Sequence, residues 1–311
     1  MPAKKKQPKQ TEFVEEDEEE QPKESVLDKI LSMSEEEINP WEEVELPSGG
    51  KFYDSELMQT GVVKVRAMNL AIEKALANQR LAKSGQALDI MLRKCVQLPD
   101  PEFEHLDLLI GDRYYLMFLI RGITFGNEYD FTLKCPSCGM EGMYKYDLND
   151  LFNTIKKVDS DKDYEYPIKV RLPYLSDLLK TDIYIGLRYP TGRDLDNIFQ
   201  SKFGKRAKPR RRFEPTADGI QTDSNDDISN ILKKCIVDVN GDTNPIKLAQ
   251  FIDKLHAKDL AVINEAITED QPGIDTTIMV ECMHCGEQIG PIMLPITDNF
   301  FRTTPSGGSG K

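Results

Sequence analysis

The chain has 311 residues, which is enough for two domains of ordinary size, and 39% of them are apolar. Its 40 basic and 53 acidic residues give a formal net charge of −13, which argues against a surface built for bulk binding to nucleic acid or anionic lipid. No apolar run approaches the ~18 residues that span a bilayer, and the N-terminal lysines precede no apolar signal-peptide core. We therefore expect neither export by the usual route nor membrane insertion.

Residues 1–45 are predicted to form a disordered acidic tail that contains one short amphipathic helix. The acidic run at 15–20 and the scarcity of apolar residues before position 25 give no basis for a core. Residues 26–33 place their apolar side chains on one helical face, and the segment from Ser34 to Glu37 resembles a capping box. Two roles stay open for this helix: a peptide that docks on a partner, or a segment that folds back on the body.

Residues 46–157 are predicted to be a first α+β half and residues 158–290 a second, followed by a flexible C-terminal tail at 291–311. Apolar periodicity predicts the elements of each half. In the first half these are strands at 62–66 and 129–134, and helices at 69–79, 86–96, 112–120 and 148–157. In the second half they are strands at 168–172, 182–188 and 277–281, and helices at 192–203, 226–237, 245–254 and 258–267.

Two cysteine pairs carry the clearest chemical signal. Each pair has two intervening residues and is followed by glycine, which is the form of a zinc knuckle. Two such pairs complete a closed tetrahedral site, and a closed site is structural because no position is left for water. A redox dithiol and a metal-free pair are the alternatives, but each pair follows a strand-like run instead of opening a helix. We predict that a structural Zn²⁺ is bound by Cys135, Cys138, Cys282 and Cys285, with His284 as an exposed spacer.

The two pairs are far apart in the chain, from 135 to 282, and the segments before them look like degenerate copies of each other. In each half a strand ends in arginine, at Arg66 and Arg188, and a later helix ends in Lys-Cys-aliphatic, at Cys95 and Cys235. We predict an internal duplication whose two copies are joined by one shared zinc, which closes a very long loop. Chance likeness between two α+β segments is the alternative.

One segment, 205–212, is strongly basic, with cations at Lys205, Arg206, Lys208, Arg210, Arg211 and Arg212. Three interpretations stay open: a mobile solvated loop, a contact with an acidic protein partner, and a contact with nucleic acid phosphates. The net negative charge and the lack of aromatic residues between the cations disfavour nucleic acid. A zinc-containing, nucleic-acid-binding regulatory protein that uses this segment is nevertheless the alternative function.

The sequence contains no recognisable catalytic constellation. It has no Gly-x-Ser-x-Gly elbow, no dinucleotide or phosphate loop and no His-Glu-x-x-His motif. Its three histidines give no basis for general-base chemistry, because His105 and His256 carry no motif and His284 lies between two cysteines that we assign to the metal. We therefore predict a protein that has no catalytic residues and is not an enzyme.

A combination of segments gives the chain a family likeness. They are the turn-rich segment 46–53, the strand ending at Arg66, the helix ending at Cys95, the segments 112–116 and 120–126, and Cys-Pro-Ser-Cys-Gly at 135–139. Across residues 46–290 this combination resembles the baseplate hub proteins of T-even-like contractile-tailed phages. The resemblance implies a non-enzymatic virion or assembly component that folds in the host cytoplasm and contacts hub and wedge proteins of the tail baseplate. It implies nothing about the acidic tail or the basic segment.

Overall fold

The computed structural model describes residues 25–76, 86–159, 161–195, 231–232, 234–269, 271–296 and 298–301. The chain divides into two compact units, Met1–Pro40 and Trp41–Lys311. The predictions for the acidic run, the basic segment and residues 302–311 lie outside the described residues. So do the parts at 196–203 and 226–230 of the helices predicted for 192–203 and 226–237. Within the described part, helices and small antiparallel sheets occur together, so the predicted mixed α+β class is confirmed.

The described residues of the first unit, from position 25 onward, form two short helices, α1 at Val26–Ser32 and α2 at Glu35–Ile38. Each begins with a capping box, in which a serine and an acidic residue three positions later exchange hydrogen bonds. The pairs are Ser25 with Asp28, and Ser34 with Glu37. These bonds satisfy backbone N–H groups that have no partner within the helix. The helix predicted for 26–33 and the predicted capping box are confirmed.

The second unit begins with a three-stranded antiparallel sheet in the order β1–β2–β3. The strands are β1 at Glu42–Glu45, β2 at Val62–Val65 and β3 at Val96–Gln97. Val63 and Val65 are buried between exposed neighbours, which is the alternation of a sheet with one face on a core. β1 lies inside the segment that the sequence assigns to the acidic tail. Its backbone is satisfied by pairing with β2, although three of its four side chains are glutamates.

In the part of this region that the structure describes, the helices beside the sheet are α3 at Leu70–Leu76, α4 at Gln86–Cys95 and α5 at Ile110–Phe125. The sequence predicts that α5 ends near Gly122, but the helix continues for another turn. The N–H of Gly126 bonds to the Gly122 carbonyl at 2.8 Å, and Gly126 ends the helix with a positive φ of 85°. None of the helices in the described part is long and apolar enough to cross a membrane.

Helix α5 leads into a hairpin of β4, Glu128–Lys134, and β5, Glu141–Asp147, which is followed by the short helix α6, Leu148–Phe152. Uninterrupted antiparallel register joins β4 and β5 along their whole length. The inner face of β4 carries Tyr129, Phe131 and Leu133, which are buried in the first apolar core. The turn between these strands holds the first cysteine pair.

A second antiparallel sheet has the order β6–β7–β8, with β6 at Ile168–Arg171, β7 at Tyr184–Leu187 and β8 at Ile236–Val239. Its helices are α7 at Pro173–Leu179, α8 at Pro245–Ile252 and α9 at Ala257–Glu269. The helix predicted for 226–237 stops at Cys235, because Ile236 pairs with Leu187 and starts β8. This sheet and its helices enclose a second apolar core. Its buried members are Val170, Leu172, Ile185, Leu187, Leu232, Cys235, Ile236, Leu248, Ile252 and Ile263.

The last hairpin, β9 at Thr277–Glu281 and β10 at Gln288–Met293, holds the second cysteine pair in its turn. Its inward side chains and those of the following segment are buried in the first core and not in the second. The hydroxyl of Tyr129 donates to the Pro295 carbonyl at 2.7 Å, and the Phe300 ring lies edge-on to the rings of Phe118 and Tyr129. The first core therefore combines residues from both ends of the second unit, whereas the second core comes from its middle.

Candidate metal centre

The two cysteine turns have the same backbone hydrogen bonds. In the first turn the N–H of Cys135 donates to the Met140 carbonyl at 2.9 Å, and the N–H of Gly139 donates to the Cys135 carbonyl at 2.9 Å. In the second turn the corresponding bonds run from Cys282 to Glu287 at 2.8 Å and from Gly286 to Cys282 at 2.9 Å. The two glycines have φ values of 72° and 73°, a left-handed conformation that a side chain would strain. The glycine after each pair is therefore required by the turn.

The four cysteine sulfurs of the two hairpins lie together, all within 4.8 Å of one another. The Sγ atoms of Cys135 and Cys285 are 3.8 Å apart, and those of Cys138 and Cys282 are 3.7 Å apart. A tetrahedral ion with metal–sulfur bonds of ~2.3 Å places its ligand sulfurs about 3.8 Å from one another. The arrangement therefore fits four thiolates around one metal ion, and the predicted meeting of the two distant pairs is confirmed.

The ionisation of the thiols is governed by backbone N–H groups and by the other sulfurs. The backbone N–H groups of Cys285 and His284 stabilise the Cys282 thiolate and lower the pKa of this thiol to about 6. The pKa of the Cys285 thiol is raised to about 12. The backbone N–H of Glu287 favours its thiolate, but the neighbouring sulfurs of Cys282 and Cys138 outweigh that effect by opposing a second negative charge. A bound cation removes this opposition, so the donor set fits a thiophilic metal cation.

His284 lies outside the group of sulfurs. Its side chain is exposed, and its Nε2 atom is 3.0 Å from the carbonyl oxygen of Glu141 on the other hairpin. Across the described residues, the His, Cys, Asp and Glu side chains that lie close enough together to hold a metal are the four cysteines alone. The basic segment 205–212, the other predicted contact site, lies outside the described residues.

The remaining two cysteines, Cys95 and Cys235, are fully buried at the ends of helices, one in each core. Burial raises the pKa of each thiol to about 12, because a thiolate would lose its hydration. Their carbonyls accept equivalent hydrogen bonds, from the N–H of Arg66 at 3.0 Å and from the N–H of Arg188 at 2.9 Å. These two cysteines are packing residues at corresponding places in the two sheets.

Two buried aspartates were not recognised from the sequence. Asp112 in α5 accepts hydrogen bonds from the N–H of Ser48 at 3.0 Å and from the Tyr53 hydroxyl at 2.6 Å. Asp259 in α9 accepts hydrogen bonds from the N–H of Tyr174 at 2.8 Å. Each aspartate is the third residue of its helix and precedes the first cysteine of a pair by 23 residues, from 112 to 135 and from 259 to 282. This equal spacing is the signal by which the sequence reveals them.

Comparison with known proteins gives one family. A family model described as T4 bacteriophage base plate protein matches residues 38–302. No curated protein and no solved structure matches the chain significantly. The matched residues include both sheets and both cysteine hairpins.

Proposed function

Because the chain belongs to the family of T4 bacteriophage base plate proteins, we propose that it is a structural and assembly component of the contractile tail baseplate, in the hub or hub–wedge region. The observation that carries this proposal is the family match over residues 38–302. Membership of a baseplate family implies contacts with other baseplate proteins and a place in the virion. The hub and wedge proteins are the proposed partners, and the host cytoplasm is the proposed place of assembly.

Within this role, the four clustered cysteines are proposed to hold a structural Zn²⁺. The sulfur separations of 3.7 and 3.8 Å support this assignment, as does the closed set of four thiolates. The ion would supply a cross-link between two hairpins that are distant in the chain. Such a link stabilises the folded state chiefly by restricting the unfolded chain, and loop-closure entropy makes the effect large for a long loop.

The two halves are proposed to be copies of one ancestral unit. In both sheets the middle strand in space is also the second strand in sequence. The first strand of each sheet is followed by Leu-Pro, at Leu46 and Leu172. The N–H of each leucine donates to the residue before the central strand, at 2.7 Å to Gly61 and at 2.9 Å to Ile183. Together with the matched Arg–Cys bonds and buried aspartates, these bonds argue for duplication over chance likeness.

We propose that the protein is not an enzyme. A metal with four thiolate ligands has no open position for water or substrate. The three histidines make structural contacts: His105 with the carbonyl of Val96 at 2.9 Å, His256 with the ring of Tyr174, and His284 with the opposite cysteine hairpin. These contacts are consistent with a structural protein that has no catalytic histidine.

The cysteine hairpins present a group of exposed methionines, which are Met140, Met143, Met279, Met283 and Met293. Methionine side chains are flexible and polarisable, so they adapt to the surface of a partner. We propose that these two hairpins provide part of the contact with neighbouring baseplate proteins.

Co-expression with the hub and wedge proteins of the same phage tests the proposed function. We expect a hetero-oligomer of defined mass that contains one zinc per chain of this protein. A Met143→Glu, Met279→Glu double variant is expected to weaken the complex, whereas Leu178→Glu, at an equally exposed apolar position in α7, is expected to leave it intact. A protein that stays monomeric with every candidate partner, or that binds two or more zinc ions, contradicts the proposal.

For the basic segment 205–212 we propose an acidic protein surface as partner. Its charge and the acidic balance of the whole chain support a protein contact over nucleic acid. The alternative function, a nucleic-acid-binding regulator, predicts affinity for DNA that falls steeply with salt concentration. An electrophoretic shift assay at low salt separates the two, since lack of measurable DNA binding excludes the regulator.

A further inference from the structure

Helix α1 has an apolar face that the described part of the chain leaves open to solvent. Four side chains on this side of the helix are 49% to 75% exposed, and they are Val26, Leu27, Ile30 and Leu31. Neither α1 nor α2 has a buried residue. Exposed apolar side chains that are grouped, in contrast to scattered ones, mark interaction sites. This face of α1 is therefore a candidate contact surface.

The shortness of α1 also indicates a partner. The helix has seven residues, and isolated helices shorter than ~12–15 residues are marginal in water because the first helical turn is costly to form. The capping box of Ser25 and Asp28 offsets part of this cost. In proteins, most of the stability of a helix comes from packing of its apolar face. A surface that covers this face would supply that packing.

The position of α1 in the chain separates it from the fold that the family shares. The family match begins at residue 38, after α1 has ended at Ser32. Both sheets and both apolar cores lie within the matched residues. The shared fold is therefore built without α1, which favours a contact with another molecule over a role inside a core.

The charge around α1 decides which kind of surface fits it. Residues 25–40 have one cation, Lys29, and four exposed acidic residues, which are Asp28, Glu35, Glu36 and Glu37. A second copy of this chain, with a net charge of −13, would bring like charge to the contact. Anionic lipid is disfavoured because helices that lie on such membranes carry lysine and arginine on their polar face. A protein groove with a basic rim matches both the apolar face and the acidic residues beside it.

We propose that α1 binds as a helix in an apolar groove of a hub or wedge protein, and that lysine and arginine side chains at the rim of this groove pair with the glutamates of α2. This inference rests on the proposed function, because it takes the partner from the baseplate. Leu27 and Leu31 are one helical turn apart and are the anchors, as in other helix-in-groove contacts. The chain thereby gains a contact in addition to the one proposed for the cysteine hairpins.

Binding of the full-length protein to each purified hub and wedge protein of the same phage tests this inference. In the variant Leu27→Ala, Leu31→Ala we expect the dissociation constant for one of these partners to rise about 30-fold, which is the loss typical of anchor residues. The matched control, Lys29→Ala, Ser32→Ala, shortens two polar side chains on the opposite side of α1. It is expected to stay within about twofold of wild type.

A charge variant tests the basic rim of the groove. Glu35→Gln, Glu36→Gln leaves the capping residue Glu37 in place and removes two negative charges from α2. We expect it to weaken binding about two- to tenfold at low salt and hardly at all in about 1 M salt, because salt screens exposed charge pairs. Binding that is equally strong at low salt would contradict the basic rim.

Hydrogen exchange of the backbone amides in residues 26–32 shows what covers the helix. We expect fast exchange in the protein alone and slow exchange in the complex. Slow exchange in the monomer that the leucine variant abolishes would show that α1 packs on its own chain, and this result would overturn the inference. Self-association in sedimentation that the same variant abolishes would assign the face to a second copy, and would overturn it as well.

The outcomes separate this inference from the proposed function. If the wild-type protein binds none of the hub and wedge proteins, the proposed partners are wrong and the role of α1 is wrong with them. If wild type binds a partner and the leucine variant binds it equally well, the proposed function stands and the role of α1 is wrong. Equal thermal unfolding of wild type and variants excludes a folding defect as the cause of lost binding.

Discussion

The two cysteine hairpins have the same turn, but the strands that carry these turns pair with unequal regularity. β4 and β5 keep one register along their whole length, whereas β10 shifts register against β9 between Ile289 and Ile292. The first hairpin brings the large aromatic side chains Tyr129 and Phe131 to the core, and the second brings aliphatic side chains such as Ile278. The first cysteine turn is thus stabilised by the regular pairing of its own strands, and the second by the residues against which its hairpin packs.

The two apolar cores also differ in the range of sequence from which they are built. The described buried residues of the second core all lie in one stretch, between Val170 and Ile263. The first core takes Ile278, Ile289, Leu294 and Phe300 from the far end of the chain. The second hairpin therefore stabilises the half of the protein to which it does not belong in sequence.

Loss of one sulfur is expected to have the largest effect, because both hairpins share the proposed ion. We expect Cys138→Ser to destabilise the protein by more than about 4 kcal/mol, since a centre with three thiolates loses most of the contribution of the metal to folding. Cys95→Ser places a hydroxyl in a buried site away from the centre and is expected to cost about 1–3 kcal/mol. Thermal unfolding and zinc content measure both effects, and equal losses would count against the metal assignment.

Truncation of Phe300 tests whether the C-terminal segment completes the first core. The side chain is fully buried against Phe118 and Tyr129, so Phe300→Ala is expected to cost about 3–5 kcal/mol. Phe301→Ala, at the adjacent half-buried ring, is the matched control with a smaller expected loss. Urea unfolding measures the difference. A loss at Phe300 no greater than at Phe301 would show that the first core is complete without the segment.

The buried carboxyl of Asp112 makes the stability of the first half depend on pH. Burial raises the pKa of Asp112 to about 6, and the hydrogen bonds from Ser48 and Tyr53 only partly offset it. The folded state therefore holds this proton more tightly than the unfolded chain, whose aspartate has a pKa of ~3.9. The contribution of Asp112 is fully present below that pH and is lost as the pH rises through about 6. It amounts to about 3 kcal/mol at one pKa unit per 1.36 kcal/mol.

In Asp112→Asn we expect this fall in stability between about pH 4 and pH 6 to disappear, because the group no longer titrates. Unfolding curves at several pH values measure it. Asp150→Asn, at an exposed carboxyl in α6, is the control and is expected to keep the slope of wild type. A slope that survives in Asp112→Asn would assign the pH dependence to another group.

The smallest expected effect is at Arg193, which joins the two halves at the surface. Its guanidinium lies 2.6 Å from Asp107 and 2.9 Å from Glu104. Exposed pairs of this kind contribute about 0.2–1 kcal/mol, so Arg193→Ala is expected to have a loss in that range at low salt and almost none in about 1 M salt. Arg171→Ala, which breaks a comparably exposed pair with Asp182 inside the second half, is the control. A larger, salt-independent loss at Arg193 would indicate packing instead of charge.

The four cysteines of the candidate metal centre were predictable from the sequence because their signal is local. Two cysteines, two spacers and a glycine define a turn with thiolates on one side, and the number of sulfurs defines a complete site. The strands that carry the pairs were predictable for the same reason. The strand at 277–281 is found as expected, and β4 extends the prediction for 129–134 by one residue.

Most of the features that sequence analysis missed depend on contacts between distant residues. β1 consists mostly of glutamates and is a strand only because β2 pairs with it. The end of the helix at Cys235 is set by the pairing of Ile236 with Leu187. The sequence near Ile278 and Phe300 predicts that these side chains are buried, but it does not predict in which core. Their place in the first core depends on how the whole chain folds.

The position of Phe300 has a consequence for biosynthesis. A ribosome releases the N-terminal half first, yet the first apolar core of that half stays incomplete until Phe300 has been synthesised. Chains that terminate early therefore lack the closing segment, and those that stop before position 285 also lack a complete set of sulfurs. The order of synthesis therefore makes completion of the first core a late event in the folding of the chain.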